Sequence, residues 1–434
     1  MNIVLRKTNI VGGKVSIGDF PVLILGLLII ISNVPIWARN VPNLLFYGLV
    51  LLFSFCIISV VGKLAPEKIK AISWLGFYFL LLLAYKLLSV SSAELAYYST
   101  TVKFFFFFLT MLITAEHLTR RQKLFLVAVI LMSMLFTLFD NIRLFRQYGA
   151  SVFVHLFQWE RFTTNSVNTT YVSSILFLSG ILFVVFLHTK KPLLKIGTVL
   201  FIAFNLLFIA RIAQRMIILG LAIFMLPLIA LFHQKNTGKR LLITLFIIIA
   251  LLLLFANFIP VIDLLDRIVH SPRLHLRFEQ IKVFLLTKTT EEDGTMAARL
   301  ELHLQSVKTW FSSVGHFLFG AGDHRETNEI IGNHSDYIDD CARYGLLGML
   351  IWLPMTWSMM RQILSCSGVR RKTPLMRQML VILLIFVLNA IVSSVYEATV
   401  GIQIFILMPV IFSLIQEKED SRRSGFINSV EGNT

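Results

Sequence analysis

The sequence predicts an all-α integral membrane protein with about twelve transmembrane helices and one large extracytoplasmic loop containing short amphipathic helices. Hydrophobic residues make up 56% of the 434 residues, and the mean hydropathy is +0.78, which lies outside the range of soluble domains. Apolar blocks of roughly 13 to 20 residues, close to the length that spans a bilayer, recur along the chain. The one long polar interruption runs from Ile259 to about Arg343.

The apolar blocks alternate with basic segments in a way that predicts their direction through a membrane. They lie at about 20–37, 44–61, 71–90, 102–114, 124–139, 171–187, 196–210, 216–232, 241–258, 344–360, 379–395 and 402–414. Basic clusters follow every second block, on the same side as the basic N-terminus. Because Lys and Arg accumulate in cytoplasmic loops, this pattern predicts cytoplasmic termini and an outward-facing loop.

These blocks predict four regions. Residues 1–258 form an N-terminal transmembrane region of about nine helices, and residues 259–343 form the extracytoplasmic loop, which we expect to be catalytic. Residues 344–416 add about three helices, and residues 417–434 form a cytoplasmic tail. The tail is polar from Gln416 onward, and its composition predicts disorder. No small-residue cleavage site follows the basic N-terminus, which predicts an uncleaved first helix.

Charge and cysteine content narrow the function classes. The formal net charge is +16, but the basic residues are dispersed in short clusters between apolar blocks. This distribution predicts membrane lipids as partners and no nucleic acid. The three cysteines, Cys56, Cys341 and Cys366, fall in an apolar block or on opposite sides of the predicted membrane, so no structural disulfide is expected.

His334 is the strongest candidate for a catalytic residue. Asn333 and Ser335 are helix-capping types, and an unbroken helical pattern follows Ser335 into the tenth block. A histidine at a helix N-terminus is disfavoured in its charged form by the helix dipole. We therefore expect a neutral imidazole able to act as a general base. The alternative is a hydrogen-bonded loop histidine without a catalytic role.

Three arginines are candidates for binding an anionic substrate group. Arg211 and Arg215 flank a short turn between the seventh and eighth blocks. An arginine at membrane depth is costly unless it meets an anion or snorkels to the headgroups. Arg299 lies near the start of a predicted amphipathic helix, whose apolar face comprises Leu300, Leu304, Val307 and Phe311. That helix is expected to lie on the membrane surface or against the helix bundle.

Several further residues are candidates for contacts with the substrate. Arg161 and Asn168 end the polar segment after the fifth block, and Glu397 is the one carboxylate in the turn of the last hairpin. Asp336 follows the predicted cap, while Gly320 and Gly322 would let the backbone approach a ligand or make an ordinary turn. The spacings of His303, His316, His324 and His334 match no zinc pattern, so we expect neither a metal nor a cofactor.

In combination, these motifs resemble the bacterial O-antigen polymerase and O-antigen ligase superfamily. The resemblance covers roughly Arg161 to Gly348. The matching features are Arg299 with Trp310 downstream, Gly320-Ala-Gly322, Asn333-His-Ser-Asp-Tyr-Ile, Gly345 with Gly348, and Gln214-Arg215, where the family commonly has Ser-Arg. The glycine and proline that often accompany the family's outer-loop Arg…Asn element are absent from Arg161–Asn168.

The resemblance implies a membrane glycosyltransferase whose donor is an oligosaccharide linked to undecaprenyl pyrophosphate. It implies action at the outer face of the bacterial inner (cytoplasmic) membrane, in O-antigen or capsular polysaccharide synthesis. A chain-length regulator and a flippase are the protein partners it suggests. The form of the segment around His334 favours a polymerase of repeat units. The alternatives are an O-antigen ligase, which moves the polymer to lipid A–core, and, outside the enzymes, a polysaccharide flippase.

Overall fold

The computed structural model describes most of the chain, including much of the second half of the long polar segment. The described residues are 10–11, 14–15, 17–34, 41–61, 64–88, 95–159, 169–212, 216–234, 236–245, 295–322, 330–332, 335–393, 395–431 and the single positions 263, 275, 279 and 282. Their regular structure is helical except for one small hairpin. In that hairpin β1 (Ile10–Val11) pairs with β2 (Lys14–Val15).

The helices follow one another in an order close to that of the predicted blocks. They are α1 (Asp19–Asn33), α2 (Asn43–Val61), α3 (Pro66–Leu88), α4 (Leu95–Thr114), α5 (Arg120–Trp159), α6 (Thr169–His188), α7 (Pro192–Ile212), α8 (Met216–His233), α9 (Thr295–Trp310), α10 (Val314–Phe319), α11 (Asp336–Cys366), α12 (Pro374–Val392), α13 (Ala398–Gly401) and α14 (Met408–Glu431). A π-helical segment, Ile402–Leu407, joins α13 to α14. Residues 237–245 are also helical.

Four stretches of helix in the described part of the chain are long and apolar enough to cross a membrane. They are Pro66–Tyr85, Arg120–Asp140, Pro374–Val392 and Ala398–Arg422. Six further apolar helices are shorter by the same measure. For the described residues, a fold that is helical apart from one small hairpin, with apolar helices of membrane length, is thus confirmed. The count of twelve and the extent of the outer loop remain predictions, since residues 246–294 lie almost entirely outside the described residues.

Local sequence signals fix where several helices begin. Thr119 and Gln122 form a reciprocal capping box before α5: the Gln122 amide donates to Thr119 Oγ1 (3.3 Å), and the Thr119 amide donates to Gln122 Oε1 (3.0 Å). Thr373 caps α12 by accepting from the Met376 amide (3.2 Å), with Pro374 in the first turn. Each bond satisfies an amide that has no partner within its own helix.

Two helices extend beyond what the sequence predicts. The polar segment after the fifth block continues as helix to Trp159, so α5 is 40 residues long and measures about 60 Å. The tail predicted to be disordered is helical as far as Glu431. Its carboxylates are held by basic side chains elsewhere in the chain: Glu417 lies 2.6 Å from Lys123, and Asp420 lies 3.0 Å from Arg370.

Side-chain contacts show which helix ends lie together. His188, at the end of α6, lies 3.0 Å from Gln378 near the start of α12 and packs against the ring of His233 at the end of α8. Gln378 also donates to the Ile229 carbonyl of α8. His188 also lies 3.1 Å from Glu419 of α14, which places the Lys123–Glu417 and Arg370–Asp420 pairs here, and we call this the ion-pair end. The starts of α6 and α8 therefore lie at the other end, with the end of α12, where Ala390 meets the start of α11. We call that the cap end.

Between the two ends, aromatic side chains form much of the buried core. The ring of Phe104 in α4 packs against Phe386 of α12, Phe405 of the π-helical segment and Tyr396 at centroid distances of 6.3, 4.9 and 5.3 Å. Phe104 and Phe405 are almost fully buried. Where such a core is in contact with water, burial of large apolar side chains is the main source of its stability. Inside a membrane, close packing of the side chains takes that role.

Candidate active site

Helix α11 begins at the residue that the sequence predicts. Ser335 is its N-cap, and its hydroxyl oxygen accepts from the Ile338 amide (3.0 Å). The same hydroxyl donates to the Ala390 carbonyl of α12 (3.2 Å). The predicted capping role of Ser335 is confirmed, and the helix start is thereby fixed to a neighbouring helix.

A second group of hydrogen bonds attaches α9 to this helix start. The Ser306 hydroxyl of α9 donates to Asp339 Oδ1 (2.6 Å), and the other oxygen of Asp339 accepts from the Ser335 amide (2.9 Å). The Ser306 oxygen in turn accepts from the Gly332 amide (2.9 Å). Gly332 also packs so closely on α9 that a Cβ there would lie 2.2 Å from the Leu302 carbonyl oxygen. The described residues on both sides of the Asn333-His334 pair are therefore held in place.

Asp336 connects the start of α11 to the last hairpin. Its carboxylate accepts hydrogen bonds from the amides of Val395 and Tyr396. Glu397 follows, buried, at the residue before α13. These bonds give Asp336 a structural role, which accounts for a carboxylate at this position without a contact to the substrate. The assignment of Asp336 to the substrate, like the one for Glu397, remains a prediction.

The Gly320-Ala-Gly322 motif packs against a break in α11. Gly345 has φ 60° and ψ −157°, which interrupts the helix and frees the carbonyls of the preceding turn. The amides of Ala321 and Gly322 then donate to the Ala342 and Arg343 carbonyls (2.8 and 3.0 Å). The break at Gly345 thus lets this turn pack against α11. The motif therefore has a packing role, and its role in substrate binding remains a prediction.

Asp340 is a buried carboxyl group on the inner side of the helix start. The Tyr78 hydroxyl of α3 donates to it (3.2 Å). Beside both lies a cavity of about 10 Å³, room for about one water molecule, also lined by Tyr337 and Cys341. Asp340 lies outside the four membrane-length stretches. Burial, and then the charge of Asp336, raise the pKa of the Asp340 carboxyl well above its usual range, while Arg343 opposes the shift.

Most of the predicted site residues fall at or beyond the edges of the described chain. His334, Arg215, Arg161 and Asn168 lie outside the described residues. Arg211 lies in the last turn of α7 and Arg299 near the start of α9, and for both residues the structure describes only the backbone. Position 299 is two turns before Ser306, so the two positions share a helix face.

The helix ends that border these residues lie together at the cap end. Arg215 directly precedes Met216 of α8, and Asn168 directly precedes Thr169 of α6. Both helices begin at the cap end, because their last residues, His188 and His233, lie together at the ion-pair end. His334 directly precedes Ser335, which is bonded to Ala390 at the same end. The described helix ends next to these three positions, which are far apart in sequence, therefore lie at one end of the bundle.

Sequence reasoning missed the residues that hold this end together. Ser306 and Tyr78 were not singled out, and the four-residue spacing of Asp339 and Arg343 favours a pair along their own helix. Instead the two Asp339 oxygens accept from Ser306 and Ser335. A signal for Ser306 was present: Ser306 and Thr309 are small polar residues on the side of α9 opposite its apolar stripe, and both are buried. Small polar residues on one helix face favour close contact with another helix.

Within the described residues, no group of three or more His, Cys, Asp and Glu side chains is arranged to hold a metal ion. A scan of the chain against protein-family models finds no match, and a search of curated proteins finds no similar one.

Proposed function

We propose that this protein is a membrane glycosyltransferase that polymerises oligosaccharide repeat units carried on undecaprenyl pyrophosphate at the outer face of the bacterial cytoplasmic membrane. The observation that carries the proposal is the convergence at the cap end. The helix ends next to Arg215 and His334 lie at one end of the bundle, and a hydrogen-bonded network fixes the start of α11. The motif resemblance supplies the reaction class.

The proposed chemistry needs a base for the acceptor and cations for the leaving group. His334 takes the proton of an acceptor sugar hydroxyl as its oxygen attacks the anomeric carbon of the donor. The bond from that carbon to the pyrophosphate oxygen breaks, and the electron pair leaves with the lipid pyrophosphate. Arg211, Arg215 and Arg299 neutralise the charge that develops there, because guanidinium groups bind phosphate oxygens bidentately.

The network around Ser335 supports this role for His334. A catalytic group must be held close to its productive geometry by the residues that flank it. Gly332 and Ser335, which bracket Asn333 and His334, are both bonded into the Ser306–Asp339 pair.

Replacing His334 tests the proposal directly. We expect His334→Ala to leave the protein in the membrane and to lower glycan transfer by about 10²–10⁴-fold. The matched control is His316→Ala, since His316 is a partly exposed histidine of α10 whose side chain bonds only locally, to Ser312 (2.7 Å). The assay uses purified protein with lipid-linked repeat units and follows their elongation. Normal elongation by His334→Ala would disprove the assignment.

The same assay separates polymerase from ligase and from flippase. A polymerase elongates lipid-linked repeats without any further acceptor. A ligase does not elongate them and only transfers finished polymer to lipid A–core, and a flippase moves repeats across the membrane without joining them. In cells, loss of a polymerase should leave core lipid with a single repeat, whereas loss of a ligase should leave long polymer on the carrier.

The arginines are tested by conservative substitution. We expect Arg215→Lys and Arg299→Lys to lose most of the transfer activity, because lysine keeps the charge but loses the bidentate fork. Full activity in both variants at normal membrane levels would reduce these residues to lipid-facing anchors. Reporter fusions at Gly294 and Arg371 test the orientation: we expect the first outside and the second in the cytoplasm.

A further inference from the structure

Helix α9 presents three different faces to its surroundings. At roughly 100° per residue, Leu302, Ser306 and Thr309 share the side that contacts Gly332 and α11. Leu304, Val307 and Phe311 share the opposite side, within about 60° of one another. Glu301 and Lys308 lie beside that apolar stripe. The hydrogen bonds of Ser306 and Thr309 fix this orientation, so the apolar stripe does not turn inward.

The apolar stripe is exposed and extends onto α10. Leu304 is 46% exposed and Phe311 60%. Beyond the turn, Val314 is 77% exposed, and Phe319 is exposed as well. The rings of Trp310, Phe311 and Phe317 pack on one another and hold the turn between the two helices. The sequence left open whether this stripe packs against the helix bundle or against the membrane. The exposed fractions show that none of the described helices covers it.

This surface is continuous with a stretch of membrane length. The Tyr85 hydroxyl, at the end of the apolar stretch Pro66–Tyr85 of α3, donates to the Phe319 carbonyl. Leu80 and Leu83, just before Tyr85, are exposed on α3. On α11, Leu347 and Leu350 are exposed immediately after Gly345, whose backbone contacts that of Leu318. The apolar face of α9 and α10 thus joins the outer surface of two long helices.

We propose that α9 and α10 lie in the membrane interface at the cap end, with Leu304, Val307, Phe311, Val314 and Phe319 inserted among the lipids of that leaflet. A helix whose apolar stripe is bordered by charged side chains lies in the plane of the interface, its apolar face reaching the acyl boundary. Glu301 and Lys308 then face the water, and Trp310 sits at the depth that indoles prefer.

Collision accessibility of a nitroxide label measures this placement. The full chain, with Cys56, Cys341 and Cys366 replaced by alanine, receives one labelled cysteine and is reconstituted in vesicles of phosphatidylethanolamine and phosphatidylglycerol. At Val314→Cys we expect frequent collisions with oxygen, which partitions into lipid, and few with a water-soluble nickel chelate. The matched control is Lys308→Cys, where the ratio of oxygen to nickel collisions should be several-fold lower.

Two results would overturn the proposal. A ratio at Val314→Cys no higher than at Lys308→Cys would place the stripe in water. A label shielded from both reagents would show that protein covers it, either another part of this chain or a second copy. Where the cysteine-free chain fails to fold, a photoreactive phenylalanine analogue at Phe311, with the native cysteines kept, replaces the label. We then expect lipid adducts, and crosslinks to protein alone would likewise overturn the proposal.

Discussion

The cap end and the ion-pair end of the bundle are held together by different interactions. At the cap end, short side chains bond to backbone amides and carbonyls: Ser335 to Ile338 and Ala390, and Asp336 to Val395 and Tyr396. At the ion-pair end, long side chains from different helices meet carboxylates of α14, as in Lys123–Glu417 and Arg370–Asp420. Both ends join elements that are distant in sequence.

The difference in chemistry implies a difference in rigidity. A bond from a short side chain to backbone fixes the main chain itself, and its burial makes loss of a partner costly. Arg370 and Asp420 are both partly exposed, and such a pair contributes little and is screened by salt, while the buried Lys123 pairs with a Glu417 that is still partly exposed. The cap end is therefore the better support for a preorganised site, while the ion-pair end tolerates change.

The largest expected effect comes from adding one carbon atom at the cap end. In Gly345→Ala the new Cβ would lie 2.5 Å from the Gly320 nitrogen and 2.6 Å from the Leu318 carbonyl carbon. Together with the cost of positive φ, this should lower the free energy of unfolding by about 3–5 kcal/mol. Gly368→Ala is the control, because Gly368 has φ 63° but meets nothing within 4 Å. It should cost only about 1–2 kcal/mol in thermal unfolding measured in detergent. Equal losses would refute the packing account.

Removing the carboxylate that organises the helix start should have the next largest effect. Asp339→Ala leaves the Ser306 hydroxyl and the Ser335 amide without their acceptor, which should cost about 2–4 kcal/mol. Glycan transfer should fall as well, because the chain around His334 loses its support. The control at the other end is Asp420→Ala, whose partner Arg370 is more than half exposed, and we expect a loss below about 1 kcal/mol. Similar losses in the two variants would remove the distinction between the ends.

Asp340 should make the stability of the folded protein depend on pH in a direction that its environment defines. Because burial raises its folded pKa, the folded protein keeps this proton over a range in which the unfolded chain has lost it. Wild-type stability relative to Asp340→Asn should be greatest below the unfolded pKa. It should fall as pH rises through the folded pKa, by at most about 1.4 kcal/mol per pH unit. Thermal unfolding of both proteins between about pH 4 and about pH 8 checks this. Parallel curves would contradict it.

The smallest expected effect is at the ion-pair end. A double-mutant cycle on Lys123→Gln and Glu417→Gln should give a coupling of about 0.2–1 kcal/mol, because the Glu417 side chain is 43% exposed to solvent although Lys123 is buried. The Lys123 ammonium also donates to Ser413 (2.7 Å), so the cycle is needed to isolate the ion pair. Raising the salt from about 0.1 M to about 1 M should reduce the coupling. A coupling above about 2 kcal/mol that ignores salt would make this end as rigid as the cap end.

Local patterns in the sequence predicted the helices and the cap of α11, because hydropathy and a capping serine act over a few residues. They wrongly predicted a disordered tail, because a polar composition indicates disorder only when the charged side chains lack partners. Glu417 meets Lys123 across 294 positions of sequence, which no window can reveal. The same limit applies to the site: Tyr78 reaches Asp340 across 262 positions. The Gly345 break was missed because a glycine within a helical pattern indicates close packing and a kink equally well.

The π-helical segment Ile402–Leu407 has a consequence for the phase of the C-terminal helix. Pro409 has no amide hydrogen to donate, and the preceding turn is widened to the five-residue hydrogen-bond spacing. Such a turn holds about one residue more than an α-helical turn. Every later side chain is therefore rotated by roughly 100° from its position in an uninterrupted α-helix. Deleting any one residue of Ile402–Leu407 would turn Glu417 and Asp420 away from Lys123 and Arg370, although the composition of the helix would hardly change.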